Sequence, residues 1–221
     1  MAGIVAHGLR CALTGGLAIN AQLRIHGRSV GQRGLNDIDL VVEDFASIPG
    51  SLAASFLQHH VHPDAVDGRT MMQLVDEPRA IRIDLFHALG STLSRSVTLD
   101  DETGELKVLS VEDLVARTTP LVCGRLRRGQ SVDVKHATAF TRLLGLGRPD
   151  RLAAAWNDHR QQVPGTLDAA SREAARLLEA HPELVVVEEY SRDISPCERC
   201  REHGPFRPAS PSKIVEILGY C

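Results

Sequence analysis

Residues 37–42 read Asp-Ile-Asp-Leu-Val-Val, and this short stretch decides how the fold is predicted. Its β-branched and aliphatic residues favour a strand, in which successive side chains point to opposite faces of a sheet. Asp37 and Asp39 are therefore predicted on one face, while Ile38 and Leu40 lie on the other. A strand of this kind buries its aliphatic face in a core and presents two carboxylates on the opposite face.

A second strand, predicted at 80–86, carries a third carboxylate in the same kind of pattern. Alternation places Asp84 on the face opposite the aliphatic residues of that strand. The strand follows another at 70–75 after a short turn, and this spacing predicts an antiparallel hairpin. An unpaired carboxylate inside an apolar strand is costly, so Asp84 requires a partner. If the strands at 37–42 and 80–86 are neighbours, three carboxylates converge on one face of the sheet.

Three close carboxylates require either raised pKa values or a bound cation. Two such charges about 4 Å apart repel by roughly 4 kcal/mol at an effective dielectric near 20. Hard oxygen ligands on a rigid strand suit Mg²⁺, which favours one or two carboxylates together with substrate phosphates. We therefore predict that Asp37, Asp39 and Asp84 are catalytic Mg²⁺ ligands. Taken singly, Asp37 also fits a turn or helix cap, and Asp39 also fits an exposed strand face.

A glycine turn precedes the first two aspartates. Residues 11–14 form a short apolar strand that ends at Gly15 and Gly16. The apolar spacing from residue 17 predicts a helix, with Gly27 as its C-terminal stop. Glycines between a strand and a helix let backbone N–H groups approach phosphate oxygens, and a helix N-terminus favours negative charge. Gly15 and Gly16 are therefore predicted to bind a phosphate group.

The remaining elements are mostly helical. Helices are predicted at 51–59, 110–118, 131–145, 149–162 and 167–180, with Ser110 and Ser131 as N-terminal caps. Strands that alternate with helices and then give way to helices predict an α+β fold with a small mixed sheet flanked by helices. We divide the chain into a catalytic domain at 1–120, a helical part at 121–190 and a Cys- and Pro-rich tail at 191–221.

Three of these segments together resemble a known family. LTGGLAI at 13–19, RGLNDIDLVV at 33–42 and IRIDLF at 81–86 resemble the nucleotidyltransferase superfamily that includes DNA polymerase beta. The resemblance covers about residues 10–145. It implies the nucleotidyltransferase fold and the Mg²⁺-dependent transfer of a nucleoside monophosphate from a nucleoside triphosphate to a hydroxyl acceptor, with release of pyrophosphate.

The resemblance also implies roles for individual residues. Asp84 holds the place of the third carboxylate, which can serve both as a metal ligand and as a base near the acceptor. Gly15 and Gly16 would hold the triphosphate, and Arg33 sits where bacterial members often carry an arginine. Lys135 is interpreted either as a phosphate-binding lysine or as an exposed helix residue.

Three functional hypotheses remain open. The first is an active nucleotidyltransferase whose acceptor is a small molecule, a tRNA or a protein. The second is a non-catalytic module of the same fold that binds a nucleotide or a partner. The third is a toxin-like enzyme that acts on tRNA and pairs with an antitoxin, because VLSVEDLVAR at 108–117 is similar to a segment of AbiEii-type toxins. The following SVDVKHA departs from the pattern of those toxins.

The composition of the 221-residue chain restricts its class. Hydrophobic residues make up 43% and charged residues 24%, which is typical of a globular protein. Aromatic residues at 4% argue against a base-stacking sheet, and a net charge of −3 argues against a general attraction to nucleic acid. Arg125, Arg127 and Arg128 form a basic cluster that fits either an RNA contact or a solvated loop. We expect no membrane span and no secretory signal, and we predict a cytoplasmic protein.

The tail contains a further candidate metal site. Its Cys-Glu-Arg-Cys run begins at Cys197, ends at Cys200 and is followed by His203 and Cys221. Four such ligands would form a closed, structural Zn²⁺ site that fixes the tail. The alternative is a tail of reduced cysteines without metal.

Overall fold

A mixed β-sheet forms the centre of the molecule. The computed structural model describes residues 10–30, 37–43, 57–61, 71–76, 81–101, 104–159 and 165–187. The strands of the sheet are β1 (Cys11–Leu13), β2 (Asp37–Val42), β3 (Leu57–Val61), β4 (Met71–Asp76), β5 (Ile81–His87), β6 (Val97–Asp101) and β7 (Gly104–Val108). Their order across the sheet is β3-β4-β5-β2-β1-β7-β6. A separate parallel pair is formed by β8 (Val132–Asp133) and β9 (Val185–Val186).

Helices flank the sheet and build the second half of the chain. Within the described ranges they are α1 (Gly15–Ile25), α2 (Val111–Arg127), α3 (Val134–Leu144), α4 (Pro149–His159) and α5 (Leu167–Ala180). Helix α2 is central, because it contacts each of the other four. The α+β class and the small mixed sheet flanked by helices, both predicted from the sequence, are confirmed.

Two clusters of buried side chains hold these layers together. The first joins the aliphatic face of the sheet to α1 and α2, and includes Leu13, Leu23, Leu40, Leu85, Val108 and Leu114. The second joins α2, α3 and α5, and includes Val122, Cys123, Leu126, Phe140 and Leu177. Each fully buried side chain of this size contributes about 1.5–3 kcal/mol relative to its exposed state. The first cluster fixes the strands that carry the aspartates.

The strand pairing agrees with the hairpin prediction and corrects one helix prediction. Strands β4 and β5 pair antiparallel, as expected from their short connection. The helix predicted at 51–59 is wrong for residues 57–59, which belong to β3 and pair antiparallel with β4. Pairing with an available strand edge outweighed the weak local helix preference of these residues. Residues 51–56 lie outside the described residues.

Helix α2 starts as predicted but ends later. Ser110 caps it, accepting a hydrogen bond from the Asp113 N–H at 3.1 Å. The predicted end near residue 118 is wrong, because the helix continues through Pro120 to Arg127. A proline removes one backbone hydrogen bond, but burial of the apolar residues that follow it outweighs this loss.

The later elements also differ in detail from their predictions. Helix α3 begins at Val134 and is capped by Asp133, which accepts a 2.8 Å hydrogen bond from the Lys135 N–H. The predicted Ser131 cap is wrong, because residues 132–133 are extended and pair with β9. Helix α5 has its predicted bounds. Helix α4 ends at His159 within the described range, and residues 160–162 of its prediction lie outside.

Candidate active site

The three predicted aspartates lie together on one face of the sheet. Strands β2 and β5 run parallel, and Asp39 is the register partner of Asp84. Asp37 lies two residues earlier on the same face as Asp39. A carboxylate oxygen of each aspartate lies within 4.8 Å of those of the other two. The alternation of the two strands therefore produces the predicted cluster once β2 and β5 are neighbours.

Burial and mutual repulsion disfavour the charged form of Asp39 in the cluster. Burial raises the pKa of Asp39 to about 6, and repulsion by Asp37 and Asp84 acts in the same direction. The charges of Arg117 and Lys135 oppose this increase but do not cancel it. A bound cation would remove the remaining repulsion. Three carboxylates without sulfur or imidazole form a donor set that fits a hard divalent cation such as Mg²⁺.

The N-terminus of α1 lies directly against the cluster. Gly15 has a φ of +63°, and a Cβ atom built on it would lie 1.8 Å from Asp39 Oδ2. The Thr14 N–H donates a 2.9 Å hydrogen bond to the Asp39 carbonyl oxygen, which fixes the turn on β2. Gly16 is the second residue of the helix. Only glycine at position 15 therefore lets the helix begin this close to a carboxylate.

The start of α1 offers donors to an anion. Its first turn contains no acidic residue, and the Thr14 side chain makes no capping hydrogen bond. The first N–H groups of a helix have no partner within the helix. Thr14 is buried, and among the described residues its hydroxyl has no hydrogen-bond partner. The backbone donors at the start of α1 lie close to the carboxylates and suit a phosphate group.

Arg117 is a site residue to which the sequence analysis gave no role. Its guanidinium lies over the Phe86 ring, 4.2 Å from the centroid. Burial lowers the pKa of Arg117, whereas the negative charge of Asp39 raises it. The available sequence signal was Phe86, which alternation places on the same strand face as Asp84. The contact between Arg117 of α2 and Phe86 was not contained in the sequence pattern.

Lys135 also acts on the cluster. It lies in the first turn of α3, with Nζ 3.5 Å from Asp133 Oδ2 and 24% of its side chain exposed. Its charge lowers the pKa of Asp39. Lys135 is therefore partly buried and electrostatically coupled to Asp39, and its interpretation as a phosphate-binding lysine stays a prediction.

Several predicted residues lie away from the cluster or outside the described ranges. Arg33, Cys197, Cys200, His203 and Cys221 lie outside the described residues, so their assignments stay predictions. In the basic cluster, Arg127 Nε donates a 2.7 Å hydrogen bond to Glu173, and Arg128 donates one of 3.0 Å to Gln130. These two arginines therefore already have partners within the chain.

Comparison with known proteins finds distant structural similarity. No protein-family model matches the chain, and no curated protein matches it. Among solved structures, the chain is similar to an antigenic nucleotidyltransferase-like protein from Paracoccidioides brasiliensis. The identity is 15%, with 82% of this chain and 85% of that chain covered and a TM-score of 0.47. At this level of similarity, the functional assignment rests on the geometry of the carboxylate cluster.

No helix in the described part of the chain combines the length and apolar composition needed to cross a bilayer.

Replacement of Gly15 with alanine tests the contact between α1 and the carboxylates. We expect Gly15→Ala to lower the unfolding midpoint, because the new methyl group would overlap Asp39 Oδ2 and a positive φ is unfavourable for alanine. Gly27→Ala is the matched control, since Gly27 has a φ of +66° and, among the residues that the structure describes, nothing lies within 4 Å of a built Cβ. Backbone strain alone would cost each variant roughly 1 kcal/mol. Equal midpoints for the two variants would contradict the close approach to Asp39.

Proposed function

We propose that this chain is a nucleotidyltransferase that binds a nucleoside triphosphate with Mg²⁺ at Asp37, Asp39 and Asp84. The observation that carries this proposal is the cluster of three carboxylates against the N-terminus of α1. A metal-binding face and an anion-binding face meet there. This combination suits a ligand that carries phosphates and a divalent cation together.

The surrounding residues supply the contacts that a triphosphate requires. The backbone N–H groups of Gly15 and Gly16 would bind phosphate oxygens. Arg117 and Lys135 would provide positive charge, which already acts on Asp39. Contact with Phe86 restricts the Arg117 guanidinium, so its charge is held in place before the substrate arrives.

The proposed reaction transfers a nucleoside monophosphate to a hydroxyl group. The acceptor oxygen forms a bond to the α-phosphorus as the bond from that phosphorus to the oxygen bridging to the β-phosphate breaks. Pyrophosphate leaves with the electron pair of the broken bond, and the acceptor proton passes to the Asp84 carboxylate. Bound at this site, Mg²⁺ would supply Lewis acidity, polarising the phosphates and lowering the pKa of the acceptor hydroxyl. Asp84 is buried and faces Asp39, so it can hold the proton away from bulk water.

The complete carboxylate set favours this reaction over a non-catalytic module of the same fold. A site that only bound a partner would gain nothing from three carboxylates that repel one another. The acceptor classes named above, including tRNA with an antitoxin partner, are best separated by an acceptor screen after the donor nucleotide is known.

The first test is ligand-dependent thermal unfolding. We expect one of the four ribonucleoside triphosphates to raise the unfolding midpoint in the presence of Mg²⁺ and not in its absence. At a free concentration of 100 times Kd the stabilisation is about 2.7 kcal/mol, or roughly 5–10 °C for a chain of this size. Release of pyrophosphate on addition of candidate acceptors would then measure transfer.

Two variants make this result specific to the site. Asp37→Ala/Asp39→Ala should abolish the Mg²⁺-dependent increase. Asp150→Ala removes an exposed carboxylate at the start of α4 and should leave the increase unchanged. No increase for any triphosphate with folded wild-type protein, or an equal increase in the double variant, would overturn the proposal.

A further inference from the structure

Three arginines lie together at the C-terminal end of α1. Arg24 belongs to the last turn of α1 and Arg28 follows the helix directly, and both are exposed. The positive φ of Gly27 turns the chain back, so that the Arg28 N–H donates a 2.7 Å hydrogen bond to a carbonyl oxygen inside the helix. Arg142 of α3 donates to the Ser29 carbonyl oxygen. We call Arg24, Arg28 and Arg142 the arginine surface.

The positive charges of the arginine surface have no acidic partner in the described part of the chain. Among the residues that the structure describes, none of the three arginines forms an ion pair. The sequence contains no acidic residue in 1–36 or in 134–149, although the whole chain has more acidic than basic residues. Like charges at one place repel, and a ligand that carries several negative charges would remove this repulsion.

Two helices connect the arginine surface to the carboxylate cluster. Helices α1 and α3 contact each other, and the first turn of each lies near the cluster. Gly15 lies against Asp39, and the charge of Lys135 acts on the same carboxylate. Gly15 and Arg24 are roughly 14 Å apart along the axis of α1. Three linked phosphates held at the carboxylates do not span this distance, so the arginines suit the phosphates of a second, longer ligand.

Phosphates repeated over such a distance are typical of a nucleic acid backbone. Unpaired bases are usually bound by stacking on aromatic side chains. Helix α1 contains no phenylalanine, tyrosine or tryptophan, and Phe140 of α3 is buried. A paired stem already stacks its own bases and presents phosphates on its outside, so it fits arginines without aromatic neighbours. At about 3.4 Å per base pair, 14 Å corresponds to roughly four base pairs.

We propose that the arginine surface binds the sugar-phosphate backbone of a paired nucleic acid stem whose 3′-terminal hydroxyl is the acceptor at the carboxylate cluster. This inference rests on the proposed nucleotide transfer and names the class of its acceptor. The end of the stem lies at Asp84, and the arginines contact phosphates roughly four base pairs away. Backbone contacts carry no sequence information, so charge and shape determine which stems bind.

Binding of labelled hairpins tests the arginine surface. The probes are an RNA hairpin and a DNA hairpin of the same sequence, each with a stem of about eight base pairs, twice the expected reach. Fluorescence anisotropy in Mg²⁺ should show saturable binding that weakens with salt, with a slope of log affinity against log salt of about −3 for three phosphate contacts. Equal affinities support recognition of the phosphates alone, and a preference for RNA supports additional contacts to 2′-hydroxyls.

Paired substitutions assign this binding to the arginine surface. Arg24→Ala/Arg28→Ala should weaken hairpin binding by about tenfold for each lost charged hydrogen bond and make the salt slope shallower by about two. Arg151→Ala/Arg176→Ala is the matched control, since it removes two exposed arginines from α4 and α5. Arg24→Ala/Arg28→Ala should fold and keep the Mg²⁺-dependent increase with the triphosphate, because both side chains are exposed and Arg24 is remote from the start of α1.

Transfer to the hairpin tests its role as acceptor. A mixture of ribonucleoside triphosphates labelled at the α-phosphate should label the hairpin in the presence of Mg²⁺. A hairpin that ends in a 3′-phosphate should bind similarly but stay unlabelled, because it lacks the terminal hydroxyl. A bound hairpin that stays unlabelled, or equal labelling of the blocked hairpin, overturns the assigned acceptor.

The binding results separate this proposal from the proposed function. Absence of saturable hairpin binding to the folded wild type overturns the partner class, as does tighter binding to vesicles that contain phosphatidylserine. Equal hairpin affinity in Arg24→Ala/Arg28→Ala and its control overturns the surface. Loss of the triphosphate-dependent increase in Arg24→Ala/Arg28→Ala places the arginines in the donor site and also overturns it. Arginine-dependent hairpin binding without any triphosphate effect in the wild type supports the surface and overturns the proposed nucleotide transfer.

Discussion

Replacement of Asp39 with asparagine is expected to stabilise the metal-free protein while it abolishes nucleotide transfer. Burial and the neighbouring carboxylates raise the pKa of Asp39 from 3.8 to about 6. When the pKa of a carboxyl group is higher in the folded than in the unfolded state, the protein loses stability as the pH rises from about 4 to 6. At neutral pH this ionised group therefore costs about 3 kcal/mol, and a neutral amide of the same shape relieves most of it.

Loss of the Asp39 charge should impair nucleotide transfer, although it stabilises the folded protein. Mg²⁺ would lose one of its three proposed carboxylate ligands, and several kcal/mol of charge stabilisation in the transition state would be removed. We expect the transfer rate to fall by about 10³-fold or more. Thermal unfolding with a chelator present and pyrophosphate release with Mg²⁺ present measure the two effects separately.

The matched control for this experiment is Asp150→Asn, which neutralises an exposed carboxylate. It should change neither the stability nor the rate appreciably. A less stable Asp39→Asn variant that retained full transfer activity would contradict both the electrostatic description of the cluster and the proposed role of Asp39.

The carboxylate cluster could be predicted because the sequence of each strand by itself determines which face its aspartates occupy. Period-two alternation fixes the faces of Asp37, Asp39 and Asp84 within two short strands, whatever surrounds them. The turn between β4 and β5 is also local, so their antiparallel pairing followed from chain spacing. The order of strands in the sheet is not local. The neighbour relation of β2 and β5 was therefore stated from the sequence only as a condition, and the structure meets it.

The contacts that the sequence did not reveal arise from tertiary packing. Arg117 lies over the Phe86 ring and is coupled to the charge of Asp39 only because the folded chain brings this part of α2 close to β5. The buried position of Thr14 depends on how close α1 starts to β2, where the Thr14 N–H donates to the Asp39 carbonyl oxygen. The extension of α2 beyond Pro120 depends on the second buried cluster, whose members come from three helices. The helix and strand propensities of individual residues give no information on these distances between elements.

The polar group with the largest expected effect on stability is the carboxylate of Asp113 in the first turn of α2. It is completely buried and accepts two hydrogen bonds from Arg95, at 2.7 and 3.0 Å. The Ser110 hydroxyl donates to it at 2.7 Å, and His159 Nε2 lies 3.2 Å away. The network joins the segment after β5 to the start of α2 and the end of α4.

Replacement of Asp113 with alanine is expected to destabilise the protein by about 2–4 kcal/mol, because Arg95 would lose two of its charged hydrogen bonds and keep only its ion pair with Asp158. Asp168→Ala is the matched control. It breaks an exposed ion pair with Arg172, which typically contributes less than about 1 kcal/mol. Denaturant unfolding at neutral pH measures both changes. A loss of similar size in the two variants would contradict the structural importance of the buried network.

The carboxylate of Asp113 should also determine part of the stability that the protein loses at low pH. Burial alone would raise the pKa of Asp113, but hydrogen bonds from His159, Arg95 and Ser110 lower it from 3.8 to about 2. A group with a lowered pKa contributes its stability above the unfolded value and loses it as the pH falls toward the folded value. The wild type should therefore lose about 2 kcal/mol between pH 4 and pH 2 through this group. Asp113→Asn lacks the titrating carboxyl, so its stability should fall less steeply over that interval, and parallel curves for the two proteins would contradict the assignment.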